Sequence, residues 1–137
     1  MKNLKIIFAV IVLSVILLSV SSCQQKTSEQ FKLLTGHAWV SDSLLIDGVD
    51  ASGPGAMLEK FVGDAMFYED GSGYFGQYTG DWYFSNNETD ITITSDSLAL
   101  PLTADILELT GSSFKIATKF TAAMNVVLNI RITFKAK

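Results

Sequence analysis

"VVLNIRITFK", residues 126–135, decides the fold. Val126, Leu128, Ile130, Ile132 and Phe134 take every second position, with Asn129, Arg131, Thr133 and Lys135 between them. An extended chain throws successive side chains to opposite faces, so this segment reads as a strand with one face in a core and the other in water. The same period recurs upstream. Trp82 and Phe84 alternate with Asp81 and Ser85, and Ile91 and Ile93 alternate with Thr92 and Thr94. Leu98, Leu100 and Leu102 keep the spacing, and Phe114, Ile116 and Phe120 share a face opposed by Lys115 and Lys119.

Turn-forming pairs separate these runs: Asp47-Gly48, Asp70-Gly71, Gly80-Asp81, Asn86-Asn87, Ser95-Asp96 and Gly111-Ser112. About eight strands follow, at 38–46, 64–69, 73–79, 81–85, 89–95, 97–109, 113–120 and 125–135. Pro101 has no amide hydrogen, so the sixth strand should bulge there or run along an edge. Short connections imply an antiparallel meander, and closing it into a barrel removes its exposed edges. The fold class is therefore all-β, preceded by a short helix through Phe31, Leu33 and Leu34, N-capped by Thr27 or Ser28 and ended by Gly36. The long connection at 47–63, "DGVDASGPGAMLEKFVG", places Met57, Leu58, Phe61 and Val62 at helical spacing. It is either a turn folded over one barrel mouth or a loop packed down to complete the core.

The first 22 residues differ from the rest. Two lysines in Met1–Lys5 precede an apolar run, Ile6 to Val20, interrupted only by Ser14 and Ser19 and closed by Ser21 and Ser22. This is the pattern of a secretory signal, and the run is short for a segment that must cross a hydrocarbon core of about 30 Å. Val20, Ser21, Ser22 and Cys23, the last being the only cysteine, resemble the lipobox of bacterial lipoproteins. The resemblance implies cleavage before Cys23, acylation of its thiol and amino group, and anchoring in the cell envelope. Gln24, rather than aspartate, follows the cysteine, which favours the outer membrane. Residues 1–22 are then a signal peptide, 23–30 a lipidated tether and 31–137 one barrel domain of a 137-residue chain.

Loss of Lys2 and Lys5 with the signal leaves 8 basic against 14 acidic residues, a net charge of −6. A polyanion would be repelled, and no nucleic-acid partner is expected. With Cys23 committed to lipid, no disulfide is available. His37 is the only histidine, so zinc, thiol and triad chemistry all lack parts. No enzymatic activity and no cofactor are expected, and His37 reads as a surface or capping residue. The acidic turns "DGVD" at 47–50 and "YEDGSG" at 68–73 lack the ligand spacing of a calcium loop and read as turns.

"GYFGQYTGDWYF", residues 73–84, holds six aromatic residues in twelve positions. A two-residue turn at Thr79 and Gly80 pairs Phe75 with Phe84 and puts Tyr74, Tyr78 and Tyr83 outside; a longer turn brings Tyr74 and Tyr78 inward beside Trp82. Either way the stretch builds an aromatic wall, for packing or for a ligand.

"FKLLTGHAWVSDSLLIDGVD", "FYEDGSGYF", "GDWYFSNNETDITIT", "ILELTGSSFKI" and "IRITFKAK" together resemble the lipocalin-like lipoproteins of Bacteroidota, over residues 31–137. Gly36 with Trp39, Asp70-Gly71, Gly80 with Trp82, and residues 106–109 carry the likeness. It implies a small eight-stranded barrel behind a lipoprotein signal, and fold more than function. Two residues separate Gly36 from Trp39 where lipocalins have one, and the chain is short, so the cavity is small or filled. The late arginine that lipocalins pack on the first tryptophan has no counterpart here, because Arg131 alternates to the outer face. "DSL" at 42–44 and 96–98 is similar to the O-glycosylation signal of Bacteroidota.

The expected function is a membrane-anchored barrel that binds a small apolar or amphipathic ligand among Trp39, Trp82, Phe84, Phe114 and Ile130. The alternative is an accessory or interaction module of the envelope with a filled barrel.

Overall fold

The computed structural model describes residues 28–137. The signal segment, Cys23 and the tether up to Thr27 lie outside the described residues. The described chain opens with helix α1 (Glu29–Thr35). Nine strands follow: β1 (Trp39–Ile46), β2 (Val49–Asp50), β3 (Asp64–Phe67), β4 (Ser72–Phe75), β5 (Tyr78–Ser85), β6 (Asp90–Thr94), β7 (Leu102–Leu109), β8 (Ser113–Thr121) and β9 (Val127–Ala136). From β3 each strand pairs antiparallel with the next, and β1 pairs with both β3 and β9. The sheet closes on itself. Because β2 is only a stub on the end of β1, at Leu45–Asp50 and Ile46–Val49, the wall is an eight-stranded antiparallel barrel. The all-β barrel expected from the alternating pattern, with the lipocalin-like shape that the resemblance implies, is the one observed.

The two closing seams of β1 differ in strength. Its seam with β9 runs from Trp39–Ala136 to Ile46–Ile130, whereas its seam with β3 holds only Trp39–Ala65 and Val40–Asp64. Side-chain chemistry extends the weaker one, since the Gly63 amide donates to Ser41 Oγ at 2.8 Å and the Ser41 amide to the Gly63 carbonyl at 2.9 Å.

One end of the barrel is stoppered by α1. Ser28 Oγ accepts from the Phe31 amide at 3.0 Å, and the Gly36 amide donates to the Lys32 carbonyl at 2.9 Å, so both helix ends are capped. A seven-residue helix is unstable alone, so burial of Phe31 and Leu34 must hold it. Trp39 Nε1 donates to the Leu34 carbonyl at 3.0 Å, tying the stopper to the first strand. Beneath it the aromatic rings interlock. Phe67 stands edge-on to Trp82 at 5.7 Å and to Phe114 at 5.6 Å, Phe114 stacks on Phe134 at 5.7 Å, and Phe31 caps Trp82 at 5.7 Å. Each such pair adds about 0.5–1.5 kcal/mol beyond its buried area.

Two local expectations are corrected. The turn of the aromatic hairpin is at Gly76-Gln77, so Phe75 pairs with Tyr78 and Gly73 with Gly80. Phe75, Tyr78, Trp82 and Phe84 therefore point inward, and Tyr83 points out. Gly76 is chosen because its φ is +62° and a Cβ there would strike the backbone of Lys60 and Phe61. The strand expected at 97–109 begins only at Leu102, after Pro101, and its irregularity falls between Ile106 and Glu108. Residues 47–63 combine the two arrangements expected of them: the 3-10 turn Glu59–Phe61 folds over the barrel end with Leu58 and Phe61 buried, while Met57 and Val62 remain exposed.

Candidate functional site: the apolar barrel mouth

At the end opposite α1, β7 starts, β8 ends and β9 starts, and the barrel interior is open. The 3-10 turn at Glu59–Phe61 brings Leu58 and Phe61 over one side, with the Phe61 ring 4.8 Å from Tyr78. The β6–β7 connection lays Leu98, Leu100 and Pro101 along the other. Ile130 and Ile132 form the floor, and Phe120 flanks the opening. Together they line a cavity of about 520 Å³, within the size range of small-molecule pockets. The lining also includes Thr103, Thr118 and Lys119. Thr118 donates its hydroxyl to the Thr103 carbonyl at 2.7 Å, so Lys119 is the charged group available to a polar ligand head.

The residues singled out from sequence divide between the two ends. Trp39 and Phe114 are fully buried and 5.9 Å apart, and Trp82 and Phe84, 5.3 Å apart, are buried beside them under α1. These four form packed core at the stoppered end. Trp82 Nε1 is committed as well, donating to the Tyr68 carbonyl at 3.1 Å. Ile130 alone of the five lines the mouth. Tyr78, Phe61, Leu98, Pro101 and Phe120 were not singled out as ligand contacts. Phe61, Leu98 and Pro101 lie in the apolar stretches "AMLEKF" and "SLALPL", whereas Tyr78 belongs to the aromatic hairpin and Phe120 to the alternating run of β8.

The histidine and the acidic turns singled out from sequence serve local structure. His37 Nδ1 donates to the Leu33 carbonyl at 2.9 Å, with its ring 5.6 Å from Trp39, so it caps the last turn of α1. Asp50 and Asp70 each accept from the amide and hydroxyl of a serine two residues on, Ser52 and Ser72. These bonds hold the Asp50 carboxyl below its ordinary pKa. A second groove, of about 770 Å³, lies on the outer face between Leu45, Asp47, Asp105, Lys119 and Arg131 and mixes polar and apolar groups. Among the described residues no three His, Cys, Asp or Glu side chains cluster for a metal ion. Of the two "DSL" serines, Ser43 is half-buried in β1 and Ser97 is exposed in the β6–β7 connection.

No model of a known protein family matches the chain, and no curated protein is significantly similar to it.

Proposed function

We propose that the protein is a cell-envelope lipoprotein, anchored at the outer membrane through acyl chains on Cys23, that takes a small apolar or amphipathic ligand into the mouth of its barrel. The observation that carries the reading is the apolar cavity of about 520 Å³ opposite α1. The interlocked aromatic rings fill the other half, so the ligand is small and enters only as deep as Ile132. An apolar body lies against Phe61, Tyr78 and Ile130, and a polar head stays at the rim near Lys119. The protein acts by binding and not by catalysis, since its one imidazole is engaged at the stoppered end.

Titration with a fluorescent fatty acid tests this, alongside native mass spectrometry of protein purified from its host. Saturable binding of one probe per barrel is expected, weakened about tenfold or more by Leu100→Glu. Leu100 is 69% exposed, so this change spares the core. Binding that never saturates would favour the second reading, an interaction module of the envelope, for which Tyr68 and Tyr83 offer exposed aromatic surface. Mass spectrometry of the N-terminal peptide is expected to show acylated Cys23; a free thiol on an uncleaved chain overturns the anchor.

A further inference from the structure

Several exposed apolar side chains lie together at the mouth end of the barrel, whereas Leu107, Tyr68 and Tyr83 are exposed elsewhere. Phe120, Met124, Val126 and Val127 lie on the hairpin joining β8 to β9, and Leu100 lies on the neighbouring β6–β7 connection. No charged residue occurs from Phe120 to Ile130. The hairpin overhangs the wall: on one side β1 ends at Ile46, opposite Ile130, and on the other β7 starts at Leu102. Residues 123–125 form a tight 3-10 turn, so at no more than about 3.3 Å per residue the overhang from Thr121 to the tip is at most about 10 Å. At that tip Met124 is 93% exposed on a backbone with φ 62°. A monomeric surface does not gather bulky apolar groups on a projecting tip without a use for them.

Charge and chain path identify the partner. Lys119 and Arg131 stand at the base of the hairpin on its outer face, opposite Asn129 and Ala117. Among the described residues the ion pairs engage Lys115, Lys135 and Lys137 instead. Of the acids in the groove beside the two cations, Asp47 is bonded to Asn129, and Asp105 lies across on β7. Glu29 and Gln30 rest against Ile106–Leu109 of β7, the strand next to β8, so the chain enters on the flank that carries the hairpin. Five peptide links from Cys23 to Ser28 reach at most about 18 Å. On the anchored reading above, that reach lets a tilted barrel touch the leaflet that holds its own acyl chains.

We propose that the β8–β9 hairpin, with Leu100 beside it, dips into the surface of the lipid bilayer in which the protein is anchored. Met124, Val126 and Val127 enter the acyl boundary, a layer about 5–10 Å deep, and Lys119 and Arg131 meet lipid phosphates. The mouth then opens onto lipid, and an amphipathic ligand passes between bilayer and barrel without crossing water. With an overall negative charge, the chain is not drawn to an anionic surface as a whole, so the apolar tip supplies the contact.

The test places an environment-sensitive fluorophore at Met124→Cys or, as a control at the stoppered end, at Ser112→Cys. The full chain is reconstituted into vesicles of phosphatidylethanolamine and phosphatidylglycerol. A blue-shifted emission and quenching by nitroxide-bearing lipid are expected at position 124 and neither at 112. Equal signals at the two positions overturn the proposal. A blue shift at 124 without lipid quenching, accompanied by oxidative disulfide cross-linking between 124 positions of the unlabelled Met124→Cys chain, also overturns it and assigns the hairpin to a second copy. Dye uptake by the unsubstituted chain reports a free Cys23 and fails the anchor alone; the contrast between 124 and 112 is then read in a Cys23→Ser background.

Discussion

Asp47 and Asn129, 82 residues apart in sequence, close the barrel at its mouth with three hydrogen bonds. Asp47 Oδ1 accepts from the Asn129 amide at 3.0 Å and from its Nδ2 at 2.7 Å, and the Asp47 amide donates to the Asn129 carbonyl at 2.8 Å. The two donors on its carboxylate hold Asp47 below its ordinary pKa of 3.8. A carboxyl lowered on folding stabilises the fold above its unfolded pKa, and that contribution is lost as pH falls through the folded one. Glu108 is lowered too, by hydrogen bonds from Ser113 and Lys115. Resistance to urea should therefore decline on acidification below the ordinary values of 4.5 for Glu108 and 3.8 for Asp47, and Asp47→Asn should flatten the lower part of that decline. An unchanged acid limb in Asp47→Asn would show that the clamp carries no pH-dependent stability.

Phe67 is the hub of the stoppered half. Its ring is fully buried and meets Phe75, Trp82 and Phe114 at 5.0, 5.7 and 5.6 Å. Phe67→Ala should cost about 3–5 kcal/mol, because interlocked rings cannot collapse into the space left. Phe120→Ala, at a side chain 42% exposed, should cost under about 1 kcal/mol while still weakening the probe. Urea denaturation of both variants separates core from mouth. Comparable losses would mean that the mouth is packed as tightly as the stoppered end.

This division explains what was legible in the sequence. Alternation announced β8 and β9 because their inner faces are buried continuously, from Phe114 and Ile116 to Ile130, Ile132 and Phe134. Ser28 and Gly36 announced α1 because capping is local chemistry. The hairpin turn was not legible, since Gly76-Gln77 and Gly80-Asp81 carry the same glycine signal and the choice depends on distant backbone. Lys60 and Phe61 crowd Gly76, and the Thr94 carbonyl crowds Gly80. The mouth was not legible as a site because two separate connections and the ends of several strands build it together. The large aromatics drew the ligand reading toward the core they complete.

The two glycines make that argument testable. Gly80 lies within β5, where a Cβ would overlap the Thr94 carbonyl oxygen of β6, so Gly80→Ala must push two paired strands apart. A loss of about 1–3 kcal/mol is expected. At Gly76→Ala the same crowding adds to the cost of a positive φ, so the loss should be at least as large. Gly53, with open space around it, is the control, and Gly53→Ala should leave stability within about 0.5 kcal/mol. Equal tolerance at Gly76, Gly80 and Gly53 in urea denaturation would place the turn elsewhere.

Met124 opposes stability to membrane contact. A left-handed backbone costs a bulky L-residue about 1–2 kcal/mol, a cost glycine escapes, although glycine loses more entropy on folding. The side chain is 93% exposed, so Met124→Gly removes almost no packing. The variant should be as stable as the parent or more stable by up to about 1 kcal/mol in urea. Its hairpin should nonetheless engage lipid less, because the residue that projects farthest has lost its apolar side chain. A fluorophore at Val126→Cys, two residues further along the hairpin, reads this as weaker quenching by nitroxide-bearing lipid in the Met124→Gly background. Destabilisation by Met124→Gly would mean instead that the methionine packs within its own fold, and unchanged quenching at 126 would show that it contributes nothing to the lipid contact.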